Sequence, residues 1–211
     1  REALQGLRRG YYGAVTFMDQ QVGRILGALD QLGLRSNTIV VFASDHGYLL
    51  GEHHMWKKNL LWEEAIRGPL MISAPGFPAG TAVDHVVELV DIYPTLVELA
   101  GLPQEPLAQG QSLVPLLRVP EARLERADAL IQTSRGFGLR VPGWAYMWYP
   151  PSAKRPEASA MVYDMRKDPN QYTNLAGREA YQKVEQDLHA RLIQRIEDAR
   201  SAPGRRARRV K

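Results

Sequence analysis

The sequence predicts an α/β protein, in which the end of a mostly parallel sheet precedes a small antiparallel α+β subdomain. Up to about residue 117, helical patterns alternate with short apolar strands, as they do in parallel βα units. From about residue 127, short aromatic-rich runs are separated by turns, which is typical of antiparallel strands. Only two core strands lie in the first part, so we expect further strands of its sheet outside this chain. We place the boundaries at 1–117, 118–200 and a basic tail over 201–211.

The first part opens with a long amphipathic helix. Its apolar residues recur at helical spacing from Tyr12 to Leu32, and Gly33 follows in the position of a C-cap. Asp91 stands where an N-cap would begin a later helix, with Pro94 tolerated in the first turn. The shorter elements predicted here are strands over 39–42 and 69–73, an extended run over 83–90, and helices over 60–66, 92–100 and 111–117.

The second part is predicted to hold four short strands and one long helix. A proline-rich segment at 150–156 and the Asp-Pro-Asn sequence at 168–170 mark turns. Apolar residues at helical spacing predict an amphipathic helix over 178–200. Trp144 and Trp148 could line a sugar pocket, but we assign them to the core of the small sheet. The predicted strands are 129–133, 137–141, 144–149 and 161–165.

The composition is that of an ordinary globular protein, with 45% hydrophobic and 24% charged residues. Five of the 27 lysines and arginines fall after residue 204, where no acid occurs, so the rest of the chain is nearly neutral. That distribution argues against nucleic acid as a partner. No apolar run reaches the roughly 18 residues of a membrane helix. Because the chain has no cysteine, it can form neither disulfides nor thiolate metal sites.

The residues that carry chemistry follow the strand over 39–42. Asp45 and His46 stand at its carboxyl end, where α/β sheets bind ligands. A carboxylate oxygen and a neutral imidazole nitrogen can point at one cation, although the pair equally suits an Asp that caps a turn beside a hydrogen-bonded His. Lys58 offers a fixed cation for an oxyanion, and His53 adds a polar group for the substrate.

The remaining residues of the loop over 44–58 are predicted to support these groups. Gly47 and Gly51 allow its backbone to approach a ligand closely. His54 is expected to be solvated, and Trp56 to anchor the loop by packing. We find no serine in a nucleophile elbow and no glycine-rich phosphate loop, so the sequence offers no nucleophile of its own.

Six spaced segments stand out along the chain. In order they read YYGAVTFMDQQVGRILGALDQLGL, TIVVFASDHGYLLGEHHMWKK, RGPLMISAPG, VELVDIYPTLVELAGL, GQSLVPLL and MVYDMRKDPNQYTNLA. Together they resemble the C-terminal half of type I sulfatases, and most of all the branch of iduronate-2-sulfatase and choline-sulfatase. The resemblance covers most of residues 10–180 and is weaker across 135–160.

The resemblance implies a member of the alkaline phosphatase superfamily, with an alkaline-phosphatase-like sheet of which this chain holds only the C-terminal part. It implies hydrolysis of sulfate esters by a formylglycine, matured from Cys or Ser, together with a divalent metal, usually calcium. Asp45 and His46 match the family's second pair of metal ligands. Lys58 matches the lysine that contacts a sulfate oxygen and the leaving-group side. The resemblance also favours a periplasmic or secreted location, which the residues themselves do not decide.

The family's nucleophile and its first pair of metal-binding Asp residues lie in an N-terminal half that this sequence does not match. We therefore expect a fragment or processed chain of a sulfatase, inactive on its own. His46 keeps an alternative open, because calcium prefers oxygen ligands and an imidazole suits manganese or zinc better. That alternative is a phosphodiesterase or phosphonate monoester hydrolase of the same superfamily. A third hypothesis is a non-catalytic module that retains only the scaffold.

Overall fold

The computed structural model describes residues 2–201. The basic tail predicted over 201–211 therefore lies, apart from its first residue, outside the described residues. Within 2–201, no helix combines the length and the apolar character that crossing a membrane requires. The helices are α1 (Glu2–Gln31), α2 (Glu63–Ile66), α3 (Ile92–Leu99), α4 (Val114–Arg118) and α5 (Gln182–Ser201), and the strands are β1 (Val40–Ala43), β2 (Leu70–Ser73), β3 (Ala129–Gln132), β4 (Phe137–Val141), β5 (Trp144–Tyr149) and β6 (Ser159–Asp164).

The two strands of the first part form their own small sheet. Val40 of β1 lies opposite Ser73 of β2, and Ala43 lies opposite Leu70, so the pair runs antiparallel. This corrects the parallel arrangement expected for the first part, as far as these two strands are concerned. The error has a physical reason: a short apolar run indicates that a strand is buried, but it carries no information about the direction of its neighbour.

Helix α1 ends as its sequence predicts, because Gly33 adopts a left-handed conformation with φ of 66° just beyond its last turn. None of its 30 residues is buried. Large apolar side chains lie along it in contact with solvent, and Ile25 is 65% exposed. Its links to the loop after β1 are a hydrogen bond from Arg8 Nε to the Leu50 carbonyl, 2.8 Å, and a stack of Tyr11 on Tyr48.

The second sheet has the order β3-β4-β5-β6, with every neighbouring pair antiparallel, as predicted. One face packs against α5, whose buried residues Leu188, Leu192 and Ile196 recur at helical spacing. Trp144 and Trp148 pack at the edge of this core, so their assignment to the core is confirmed.

The other face of the second sheet supports the loop that follows β1. Leu61 is 2% exposed and packs with Ala145, Met147 and Tyr163 on that face. The Asn59 amide donates to Ser134 Oγ, 3.2 Å away, at the turn between β3 and β4. The segment between Lys58 and α2 therefore lies along the small sheet.

A buried ionic cluster joins the first part of the chain to the second. Arg126 pairs with Asp91 and with Glu88, the latter at 2.8 Å. Arg195 of α5 reaches both Glu88, at 2.9 Å, and Asp128, at 2.8 Å. Because removing one partner of a buried pair leaves an uncompensated charge, this cluster fixes α5 against the start of β3 and the turn before α3.

Asp91 belongs to that cluster and does not cap α3 as predicted. Its fully buried carboxylate accepts hydrogen bonds from the backbone N–H groups of Glu88, at 2.8 Å, and Gln111, at 2.9 Å. Glu88 and Asp91 together form a capping box around the 3-10 turn Leu89–Asp91. Residues 83–88, most of the run predicted to be extended, belong to no sheet.

Candidate active site

The loop that leaves β1 is held by hydrogen bonds at its first residue. The Ser44 backbone N–H donates to the Pro69 carbonyl at 3.1 Å, and Ser44 Oγ donates to the His46 carbonyl at 2.8 Å. These bonds turn the chain immediately after the strand. Asp45 and His46 consequently stand at the mouth of a broad cleft, which Lys58 also lines.

Two glycines allow this loop to touch the chain around α2. The Gly47 N–H donates to the Ala65 carbonyl at 2.9 Å, and a Cβ on Gly47 would lie 2.1 Å from the Glu64 carbonyl oxygen. Likewise, a Cβ on Gly68 would lie 2.8 Å from the Ser44 carbonyl oxygen. Gly47 thus serves a close approach between two backbones, not between backbone and ligand as predicted. No pattern in the sequence indicates the same role for Gly68.

Asp45 and His46 are arranged as two ligands of one cation would be. His46 Nε2 lies 3.5 Å from Asp45 Oδ2, and His46 Nδ1 lies 2.7 Å from the Gly47 carbonyl oxygen. Since that carbonyl can only accept, Nδ1 carries the proton, and the lone pair of Nε2 points to the Asp45 side. The Asp45 side chain is 83% exposed. Within residues 2–201, no group of three or more His, Asp or Glu side chains is placed to hold a metal.

The loop closes on itself between the Asp45–His46 pair and Lys58. The Leu49 N–H donates to the Lys57 carbonyl at 3.1 Å, and the Gly51 N–H donates to the Met55 carbonyl at 3.0 Å. Leu49 is fully buried and anchors this hairpin-like closure. Lys58, the next residue after Lys57, is therefore held at the base of the loop.

His53 lies at the tip of the loop, where it is buried under α2 and does not line the cleft. Its ring stacks on Trp62 with centroids 4.3 Å apart and planes 8° from parallel, and Tyr172 packs at 5.3 Å. His53 Nε2 lies 3.7 Å from Glu64 Oε2. The neighbouring His54 is exposed, as predicted.

Residues of the small subdomain complete the support of α2. The Gln171 side-chain carbonyl accepts the Glu63 backbone N–H at 2.6 Å, and Arg140 of β4 pairs with the Glu63 carboxylate at 3.0 Å. The sequence predicts a turn over 168–170, but it gives no sign of the role of Gln171. No local pattern could have found it, because its partner lies 108 positions earlier in the chain.

Comparison with known proteins identifies the family to which this arrangement belongs. The Sulfatase family profile matches residues 2–102. The chain is 33% identical to a sulfatase of Formosa agariphila, over 87% of its own length. It is also 33% identical to human (Homo sapiens) arylsulfatase K, over 90% of its length.

The chain belongs to the sulfatase family. It spans 35% of the Formosa sulfatase and 38% of the human enzyme, little more than a third of each. The predicted family is thereby confirmed, whereas the branch of iduronate-2-sulfatase and choline-sulfatase stays a prediction.

Solved structures share the fold of this sulfatase chain. It superposes with a TM-score of 0.78 and 28% identity on a protein solved with its substrate D-glucosamine-2-N,6-O-disulfate, covering 88% of this chain and 39% of that one. It superposes with a TM-score of 0.75 and 27% identity on the phosphonate monoester hydrolase of Agrobacterium radiobacter, covering 87% and 40%. The alkaline-phosphatase-like α/β fold with a small antiparallel subdomain is confirmed by these likenesses.

Proposed function

We propose that this chain provides one wall of the active site of a sulfate ester hydrolase. The observation that carries the proposal is the Asp45–His46 pair, in which a free imidazole nitrogen faces a carboxylate oxygen at 3.5 Å. The pair opens on the same cleft as Lys58. Membership of the sulfatase family supports the reaction class, and the substrate of the complete protein is part of the proposal.

The residues present fit two ligands of a divalent cation. One anionic oxygen and one neutral nitrogen are a donor set that manganese and zinc accept readily, and calcium accepts less well. When bound, such a cation would neutralise charge on the ester oxygens. Because two donors do not complete a coordination shell, we propose that the first pair of ligands comes from another part of the complete protein, together with the formylglycine nucleophile.

Lys58 has a separate task in this proposal. Its ammonium group would donate hydrogen bonds to a nonbridging ester oxygen and to the oxygen of the departing group. The oxygen of the departing group gains negative charge as its bond to sulfur breaks, so its contact with Lys58 strengthens in the transition state. Asp45 and His46 would hold the ester from the metal side, and Lys58 from the other.

The proposal predicts that Asp45→Ala abolishes turnover of p-nitrophenyl sulfate by the complete protein while the fold is retained. We expect a loss of more than about 100-fold, beyond what the loss of an outer-shell partner costs. Dialysis against EDTA should remove the turnover of the wild type. Addition of calcium, manganese or zinc should then restore turnover in the wild type and not in the variant. Asp30→Ala, on the exposed surface of α1, is the control. Unchanged activity of Asp45→Ala would refute the assignment.

The three hypotheses are distinguished by the ester that the complete protein turns over and by the activity of residues 1–211 alone. Faster turnover of a phosphonate monoester or phosphate diester than of a sulfate ester would favour the phosphonate hydrolase hypothesis, to which His46 gives some support. Turnover of neither ester would favour a scaffold role. We expect residues 1–211 alone to be inactive, and robust turnover by the isolated chain would overturn the proposal that the nucleophile lies elsewhere.

A further inference from the structure

The stack of His53 on Trp62 closes the segment 53–62, which contains Lys58, into a loop. The two aromatic planes lie 8° from parallel at 4.3 Å, and they join the ends of the segment 53–62. Lys58 stands near the middle of that segment. Any shift of His53 relative to Trp62 must therefore be taken up by the residues that carry Lys58.

His53 is a costly residue for the loop to hold in this place. Its backbone has φ of 52°, in the left-handed region, which is uncommon for residues other than glycine although histidine enters it more readily than most. Its side chain is 9% exposed. Neither His53 Nε2 nor Glu64 Oε2 has a hydrogen-bond partner among the described residues, and each is the polar atom that faces the other, 3.7 Å away. A loop that needed only packing here would be better served by an apolar side chain.

Glu64 connects this closed segment, 53–62, to the Asp45–His46 pair. Its carbonyl oxygen lies directly against Gly47, which follows His46 in the sequence. The same short helix thus contacts His53 through the Glu64 side chain, and it contacts the Asp45–His46 loop through its own backbone. The small subdomain holds the N-terminal end of this helix, where the Glu63 N–H donates to the Gln171 side chain.

We propose that His53 is a positioning residue for Lys58, acting with Trp62 and Glu64 to set the lysine at a fixed place relative to the Asp45–His46 pair. This inference rests on the proposed function, since it deepens the account of that site. This positioning role takes the place of the predicted contact between His53 and the substrate, because the His53 imidazole does not line the cleft. The role belongs to His53 and not to His54, which has nearly the same backbone conformation, with φ of 56°, but is exposed.

A double-mutant cycle in the complete protein tests the proposal. His53→Phe keeps an aromatic ring on Trp62 and removes Nε2, whereas Glu64→Gln removes the charge from the opposite side. Each should lower kcat on the ester that the enzyme turns over on the order of 10- to 100-fold, the usual cost of losing a group that orients a site residue. In a Lys58→Ala background, each should cost less than about two-fold, because the lysine they act through is gone. His54→Phe is the matched control and should leave kcat unchanged in both backgrounds.

A second readout needs no turnover. Competitive acetylation of Lys58 by acetic anhydride, followed by mass spectrometry, reports the surroundings of its amine. We expect His53→Phe and Glu64→Gln to change the rate at Lys58 and leave the rate at Lys154 unchanged, and His54→Phe to change neither. If no ester is turned over, the proposed function fails while this measurement still decides the role of His53. Equal losses of kcat with and without Lys58, or an unaltered acetylation rate at Lys58, would overturn the positioning role.

Discussion

At the scale of single residues, the candidate site depends on two glycines as well as on its polar side chains. Gly47 and Gly68 have no side chain where the loop after β1 meets the backbone around α2. That contact brings His46 to a position from which its Nδ1 reaches the next carbonyl oxygen and its Nε2 faces Asp45. The orientation of the imidazole is thus decided by the backbone around it.

Replacing Gly47 by Ala should impair both stability and turnover. The added methyl group would meet the Glu64 carbonyl oxygen at 2.1 Å, so the backbones must separate. Overpacking of this kind costs about 1 to 3 kcal/mol of unfolding free energy, and the shift displaces His46. Urea unfolding and p-nitrophenyl sulfate turnover of the complete protein provide the measurements.

Gly177→Ala is a suitable control for that substitution. Gly177 has φ of 75° and open space around it, so an alanine there strains the backbone without a clash. We expect a loss of about 1 to 2 kcal/mol with turnover intact. Equal turnover losses in both variants would mean that Gly47 acts through stability alone.

At the scale of elements, α2 and α5 have different tasks. The first is only Glu63–Ile66, yet it contacts the loop that carries Asp45 and His46, the His53 side chain and the small subdomain. The second covers one face of the small sheet and closes the ionic cluster through Arg195. One element places functional groups, and the other holds the two parts of the chain together.

Asp128→Ala should be among the most destabilising substitutions on α5 and its partners. The carboxylate is almost fully buried between Arg191, at 2.7 Å, and Arg195, at 2.8 Å. Its removal leaves Arg195 with Glu88 as an acidic partner and releases Arg191, which is 47% exposed, so we expect a cost of about 1 to 3 kcal/mol from the lost charged hydrogen bonds. Thermal unfolding measures the effect, and Asp30→Ala, which breaks the exposed pair with Arg35, should leave the Tm almost unchanged. A similar Tm for both variants would contradict a structural role for the cluster.

The small sheet also predicts a response to alkaline pH. Burial raises the pKa of Tyr146 to about 12, with a smaller contribution from Glu185. The unfolded chain releases the phenolic proton near pH 10 while the folded chain keeps it, so stability is full below pH 10 and falls above it. The loss from this group should reach about 2 kcal/mol by pH 12.

Tyr146→Phe tests this response, because it should flatten the decline of unfolding free energy above pH 10 at some cost near neutrality. That cost arises from the lost contact with His189 Nδ1, 3.0 Å away. Burial also raises the pKa of Tyr149 and Tyr163, so the decline should be reduced and not abolished. Tyr93→Phe, at an exposed position, should leave the slope as it is.

At the scale of the whole molecule, the sequence predicted what local periodicity determines. The bounds of β4 and β5 agree with the prediction, and the apolar face of α5 lies where its spacing placed it. The antiparallel pairing of β1 with β2 and the role of Asp91 were not foreseen. Both depend on partners distant in the chain, which a local pattern does not specify.

The candidate site divides in the same way. Asp45, His46 and Lys58 could be named from the sequence because they follow a strand and match a family motif, and the structure places them along one cleft. The burial of His53 could not be foreseen, since its neighbours Trp62 and Tyr172 come from two separate segments. The candidate site residues are close in the sequence, while the residues that hold them in place are scattered.

The bond between Gln171 and the Glu63 N–H has a consequence for biosynthesis. The two residues are 108 positions apart, and the ribosome needs on the order of 5 to 20 seconds to add that length of chain. During that interval α2 lacks the acceptor that satisfies its first N–H. The loop with Asp45, His46 and Lys58 therefore reaches its final form late in translation, after the last strand of the small sheet has left the exit tunnel.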